Sequence, residues 1–338
     1  MPAEQKPRGA GNTPSGGDFP LFDRFPGLAV LPRAEFCTLP SPVHRVEHPL
    51  VHGDMWIKRD DLNAPVCGGN KARSLEFLLG GVRPGETVLT VGGAGSTHIL
   101  STIRHAESLG ANVDAHRWRH DMNPVADVVA TAIEVRAPTS IVRQSTLITL
   151  TIARYKAWKT RARYVPIGGS SPLGILGHVN AALELDMQIR AGVLPMPEKV
   201  VVPLGSGGTT AGLLLGFAIA GLPIEVVGAR VGPRAVVNRR RVMSLARRTS
   251  SLIQRLTGER LPVVDPSRLR IAHDVYGGAY GRPLAGSEDA AAILRDAARI
   301  KLDGTYSAKA WVAALAECRP TEGPVLFWLT FDSRCLTN

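Results

Sequence analysis

Three times along this chain a short run of β-branched and aliphatic residues ends in a cluster of glycines and passes into a stretch of helical periodicity. Residues 87–91 lead into Gly92-Gly93-Ala94-Gly95 and a helical pattern over 98–109. Residues 164–167 lead into Gly168-Gly169-Ser170-Ser171-Pro172 and a pattern over 175–190. Residues 199–204 lead into Gly205-Ser206-Gly207-Gly208-Thr209 and an apolar helix over 211–220. Parallel strands cannot be joined by a tight hairpin, and each crossover helix must bury its apolar side on the sheet. Repeated units of this kind therefore predict an α/β fold with parallel strands covered by helices on both faces. Ligands in such folds lie beyond the carboxyl ends of the strands, where the three glycine loops should converge.

With 338 residues, 44% of them hydrophobic, the chain can bury one large core or two smaller ones, and a two-domain arrangement with the ligand between is expected. The opening MPAEQKPRGAGNTPSGGD has no apolar core of the kind a secretion signal needs, and its composition predicts a disordered leader over 1–20. Residues 21–46, rich in proline and aromatics, read as an arm packed over a domain without regular structure. The longest apolar segment, 211–222, falls short of the roughly 20 residues that span a bilayer, so no membrane partner is expected. Cys37, Cys67, Cys318 and Cys335 are scattered, with no CxxC pair and no histidine at ligand spacing; they read as reduced thiols of a cytoplasmic protein, with no metal site. Net charge is +11, and the cluster Asn238-Arg239-Arg240-Arg241 with Arg247-Arg248 contributes to it. Without interleaved aromatics or a nucleic-acid module, that cluster reads as a solvated face, and nucleic acid is not an expected partner.

Two stretches carry chemistry. In Cys67-Gly68-Gly69-Asn70-Lys71, two glycines and an asparagine bring Lys71 to a helix start, where the positive helix end disfavours its ammonium form and favours a Schiff base. Taken alone, such a lysine is far more often an ordinary surface residue. In 200–212, a buried-strand pattern feeds a glycine turn that opens a helix, so backbone N–H groups and hydroxyls can converge on an anion. No Lys-Ser/Thr follows as a Walker loop requires, the GxGxxG spacing is absent, and no acidic residue follows the next strand. A small phosphorylated cofactor fits better than a nucleotide.

KRDDLNAPVCGGNKARSLEFLL, VPIGGSSPLGILGHVNAALEL and VVPLGSGGTTAGLL, in this order, resemble the motifs of the D-cysteine desulfhydrase and 1-aminocyclopropane-1-carboxylate deaminase family. The resemblance runs from about residue 21 to the C-terminus and is weakest over 112–163. It implies the tryptophan synthase β-like fold type II of pyridoxal-phosphate (PLP) enzymes, with two doubly wound, mostly parallel sheets and the cofactor between them. It also implies a large domain of 21–85 and 165–338, a small domain of 86–164, and a homodimer. By the same resemblance Lys71 carries pyridoxal phosphate beside Asn70, and Gly205, Ser206, Gly207, Gly208 and Thr209 hold its phosphate. Ser96 and Thr97 correspond to a serine near the substrate and an asparagine that reaches the cofactor ring, while Tyr280 and Tyr306 resemble tyrosines that face the substrate. Ser307 and Thr330 fall beside the pyridine nitrogen, where the desulfhydrases have Thr and Thr and the deaminases Glu and Leu. A hydroxyl does not hold that nitrogen protonated, so the ring is a weaker electron sink, which suits loss of a good leaving group better than ring opening.

The chain departs from the pattern at Gly95 for Gln, Thr97 for Asn, Ser74 for a second lysine, and Leu329-Thr330-Phe331-Asp332 for His-Thr-Gly-Gly. The expected activity is a PLP-dependent lyase or deaminase converting a small amino acid such as D-cysteine to pyruvate, ammonia and sulfide. The alternatives are aminocyclopropane deamination, β-replacement, or, from another class, a catalytically altered cofactor-binding or basic binding protein.

Overall fold

The computed structural model describes residues 19–320 and 322–336. The expected leader lies outside them apart from Phe19 and Pro20; Phe19 is buried, its ring 4.8 Å from Phe22 and 6.0 Å from Phe77. The strands are β1 Val43–Arg45, β2 Met55–Arg59, β3 Thr87–Gly93, β4 Asn112–Trp118, β5 Ile141–Arg143, β6 Arg163–Val165, β7 Lys199–Leu204, β8 Glu225–Arg230, β9 Leu269–Ala272 and β10 Val325–Leu329. The helices are α1 Pro20–Arg24, α2 Asn70–Leu78, α3 Thr97–Ser108, α4 Pro124–Arg136, α5 Thr146–Thr160, α6 Pro172–Arg190, α7 Gly208–Ala220, α8 Arg239–Thr257, α9 Ser287–Ala298 and α10 Ser307–Glu317.

Six strands form one sheet in the order β1-β2-β10-β7-β8-β9, and four form a second in the order β5-β4-β3-β6. Every pair is parallel except β1 with β2. Side chains alternate across a strand, so a sheet covered on both faces needs apolar residues at every position. The central strands comply: Val200, Val202, Leu204, Val226, Leu326 and Trp328 face a core built with α6, α7 and α8. Val201, Val227, Phe327 and Leu329 face the opposite core, under α9 and α10. Residues 21–46, expected to lack regular structure, supply α1 and the antiparallel edge strand β1. Val43 is half-buried and packs on the first core, so sheet pairing orders a segment whose local sequence has no period.

The α6–α7 contact brings two glycine loops to one place. A Cβ at Gly212 would lie 2.3 Å from the Cβ of His178, and one at Gly216 2.4 Å from that of Ala182. Only glycine allows these helices so near each other, and their N-termini consequently begin side by side.

One expectation is overturned. Cys67 and Cys335 form a disulfide, with Cα atoms 4.8 Å apart, while Cys37 and Cys318 are free thiols. The pair is 268 residues apart in sequence; it meets because the turn after β10 returns to the loop before α2, where Arg334 donates to Asp61 O at 2.8 Å. No local spacing encodes that return.

Candidate active site

Strand β2 runs through a short 3-10 turn to Cys67-Gly68-Gly69, and α2 begins at Asn70. Gly69 has φ of 110°, and a Cβ there would sit 2.5 Å from Thr330 O, so glycine is required by both backbone and space. The turn is pinned by Asn70 N–H donating to Thr330 O at 3.1 Å and Gly68 N–H donating to Asp332 Oδ2 at 3.0 Å. Lys71 thus enters a cavity of about 460 Å³ between the carboxyl ends of the two sheets. Its side chain lines this cavity, and its amine has no hydrogen-bond or ion-pair partner among the described residues. Desolvation lowers its pKa from 10.5 to about 8.

Beneath α2 lies a buried ionic cluster. Arg73 donates to Asp60 and Glu184, Lys58 to Glu184, and Trp328 Nε1 to Asp60 at 2.8 Å. These groups are all close to fully buried, and together they fix the helix that carries Lys71.

Beyond β7 the chain turns at Gly207, φ 90°, and enters α7 with no side chain capping the helix. The amides of its first turn are therefore open, and the Thr210 hydroxyl is buried without a partner. The loop after β6 packs behind this turn: a Cβ at Gly168 would lie 2.2 Å from Ser206 Oγ and one at Gly208 2.6 Å from Ser170 Oγ, and Ser170 Oγ donates to Ser206 Oγ at 2.7 Å. Asn70 Nδ2 donates to Thr209 Oγ1 at 2.7 Å, tying this turn to the lysine helix. An unpaired amine, an open helix N-terminus, a buried orphan hydroxyl and no carboxylate in the cavity wall fit a phosphorylated aldehyde such as pyridoxal phosphate.

Ser96 caps α3 and Thr97 begins it; both line the cavity, with Ile99 N–H donating to Ser96 Oγ at 3.5 Å. Tyr280 and Tyr306 reach the cavity from other loops, and their hydroxyls hydrogen-bond each other. Burial pushes the Tyr280 phenol up to about 12 and raises that of Tyr306 well above its usual 10. Asp303 holds Tyr306 in place by accepting from the amides of Thr305, Tyr306 and Ser307. Asn123, the cap of α4, donates at 2.7 Å to Gly281 O and to Thr305 Oγ1, clasping the tyrosine loops to the smaller sheet.

Asn70, Lys71, Ser96, Thr97, Gly205, Ser206, Gly207, Gly208, Thr209, Tyr280, Tyr306 and Thr330 all border this one cavity. Ser307 does not: it is fully buried next to Tyr306, its hydroxyl unpartnered. Three other groups stand at the cavity or beside it without having been assigned a role, and of these only Ser170 lies in one of the glycine loops. Ser170 backs the Gly205–Thr209 turn. His120 donates from Nδ1 to Asp121 O at 2.7 Å and accepts from Gly95 N–H at 3.4 Å, so Nε2 carries a lone pair; its ring is 4.8 Å from that of Tyr280. Arg241, expected on a solvated face, is half-buried and borders the cavity, whereas Arg239 and Arg240 are exposed. Only the first turn of α8, three consecutive arginines at a positive helix end, hinted at this in the sequence.

A family model described as pyridoxal-phosphate dependent enzyme matches residues 36–330. The chain is 34% identical over 318 residues to nocardicin C-9′ epimerase of Nocardia uniformis subsp. tsuyamanensis, covering 91% of this chain and 94% of that one. It is 29% identical over 319 residues to D-cysteine desulfhydrase of Salmonella paratyphi C, covering 89% and 94%. A crystal structure of a homologue of aminocyclopropane-carboxylate deaminase superposes with a TM-score of 0.74 at 24% identity, over 93% of this chain and 94% of that one. The two mostly parallel sheets are those of the expected fold class, and no helix among the described residues is long and apolar enough to cross a membrane. The chain belongs to the pyridoxal-phosphate dependent enzymes, in the branch related to D-cysteine desulfhydrase and aminocyclopropane-carboxylate deaminase.

Proposed function

We propose that this enzyme is a β-eliminating lyase that acts on a small amino acid, with D-cysteine as the best-fitting substrate. The observation that carries the reading is one cavity holding an unpaired amine on Lys71 and a half-buried, hydrogen-bonded phenol pair on Tyr280 and Tyr306. Pyridoxal phosphate, when bound, supplies the electron sink that lets the α-proton leave. Lys71 bonds the cofactor, and the Gly205–Thr209 turn holds its phosphate. Lys71 Nζ or Ser96 Oγ takes the proton from Cα. Tyr306, paired with Tyr280, keeps its proton at neutral pH and delivers it to sulfur as the Cβ–S bond breaks. Thr330, which borders the cavity, offers a hydroxyl and not a carboxylate toward the pyridine nitrogen, while Ser307 is set back from it. D-cysteine and one water give pyruvate, ammonia and hydrogen sulfide. The homodimer implied by the resemblance belongs to the same reading, and mass measured by light scattering checks it.

A second reading is epimerisation at the α-carbon, favoured by the 34% identity to nocardicin C-9′ epimerase. It returns a proton to Cα and expels nothing, and His120 beside Tyr280, with a lone pair on Nε2, is a further group able to accept a proton in that task. Incubating the PLP-loaded enzyme with D-cysteine in deuterated water separates the two. Sulfide and pyruvate release supports elimination. Deuterium at Cα of recovered amino acid of inverted configuration, without sulfide, replaces elimination by epimerisation.

A further inference from the structure

We propose that Arg241 is a cation that binds the cofactor's phosphate, reaching the Gly205–Thr209 turn from a different helix. The inference rests on the reading that the phosphate sits at that turn. Arg241 Nε donates to Ser206 O at 2.9 Å, inside the turn, and the guanidinium borders the cavity. Its two Nη groups have no partner among the described residues. Helix α8 packs directly on the turn, since a Cβ at Gly207 would touch Val242 and Leu245 at 3.5 Å.

The electrostatics favour an anion there. Helix α8 opens with Arg239-Arg240-Arg241 and no acidic residue in its first turn, so three cations crowd the positive end of a helix. Two are relieved: Arg239 donates to Leu269 O at 2.7 Å, and both Arg239 and Arg240 lie in solvent. Arg241 is half-buried, adjoins the N-terminus of α7, and has no carboxylate partner. A partly desolvated cation facing a second positive helix end is costly until a counter-charge arrives. A phosphate monoester supplies up to two negative charges and several acceptors, and a guanidinium can meet two of them at once. The residue so placed is one of a surface-looking arginine run, and only its register on α8 turns it inward while its two neighbours face water.

The test compares binding of pyridoxal phosphate with binding of pyridoxal, which lacks the phosphate, to cofactor-free protein, read by absorbance. Wild type should prefer the phosphorylated form. Arg241→Gln keeps a donor for Ser206 O but no charge; it should weaken pyridoxal phosphate roughly 10- to 100-fold, as for one lost charge-assisted hydrogen bond, and pyridoxal by less than about twofold. Arg241→Lys should recover part of the preference. If Arg241→Gln weakens both ligands alike, or neither, Arg241 only braces the turn and the proposal is overturned. If wild type binds both forms equally, the phosphate turn itself is misassigned and the proposal falls with it. Preference kept in both variants removes Arg241 alone.

Discussion

Asn70 Nδ2 donates to Thr209 Oγ1 at 2.7 Å, and this hydrogen bond joins the start of the lysine helix to the first turn of α7. His178 extends the link: its Nε2 lies 2.9 Å from Ser74 Oγ and 3.4 Å from Thr209 Oγ1. Burial, with the charges of Lys71 and Arg73, holds the His178 pKa well below its usual value, so the imidazole stays neutral and bridges the hydroxyls without adding charge. The spacing between the Lys71 amine and the Gly205–Thr209 turn is therefore set by side chains of Asn70, Ser74 and His178.

The Lys71 amine should be neutral far more often than a surface lysine. With a pKa of about 8, about one tenth is unprotonated at pH 7. Attachment of pyridoxal phosphate to the cofactor-free protein should accelerate as pH rises through 8 and then level off. Stopped-flow absorbance checks this, and Lys71→Ala should show no attachment. The unfolded chain binds this proton up to about pH 10.5 and the folded chain only up to about 8. Folding stability of cofactor-free wild type should thus climb between these values, a slope that Lys71→Met removes while stabilising the protein at pH 7 by up to about 3 kcal/mol.

The tyrosine pair should act as a proton donor across the working pH range. Because burial lifts Tyr280 to about 12 and Tyr306 well above 10, neither phenol should produce a falling limb in the rate profile below about pH 10. Tyr306→Phe should lower kcat for sulfide release by about a hundredfold or more and leave the spectrum of the bound cofactor unchanged. A profile that falls near pH 9 in wild type and not in Tyr280→Phe would contradict this assignment.

Glu184 should govern acid stability. Although burial opposes its charge, Arg73 and Lys58 hold its carboxyl down to about 2, from 4.5. Its contribution is complete above about pH 4.5 and is lost as pH falls toward 2, on the order of 3 kcal/mol. Glu184→Gln leaves Lys58 and Arg73 short of counter-charge in the core and should cost about 3–5 kcal/mol at pH 7, read from the urea midpoint.

The Cys67–Cys335 bond clamps the loop before Lys71 to the turn after β10. Thiol titration of the denatured, unreduced protein should count two thiols, Cys37 and Cys318, and four after reduction. Cys335→Ser should destabilise the protein by about 2–5 kcal/mol and weaken retention of the cofactor.

By itself the sequence determined the class of fold and which loops meet at one cavity. β7 runs over the residues expected, Lys199–Leu204, and the helix that follows begins three residues earlier than its apolar run, at Gly208. Period and glycine placement are local properties, and parallel strands carry their loops to a common edge whatever the details. The convergence of Lys71 with the Gly205–Thr209 turn could therefore be anticipated. What only tertiary structure decided depends on contacts between distant segments. The meeting of Cys67 with Cys335 follows from how β10 inserts between β2 and β7. The seat of His120 follows from the docking of the tyrosine loop on the smaller sheet, where an Asn123 side chain spans residues 158 and 182 positions away. Arg241 faces the cavity while Arg240 beside it faces water, because one residue on a helix turns the side chain by roughly 100° and only the packing of α8 on the Gly207 turn says which direction is inward.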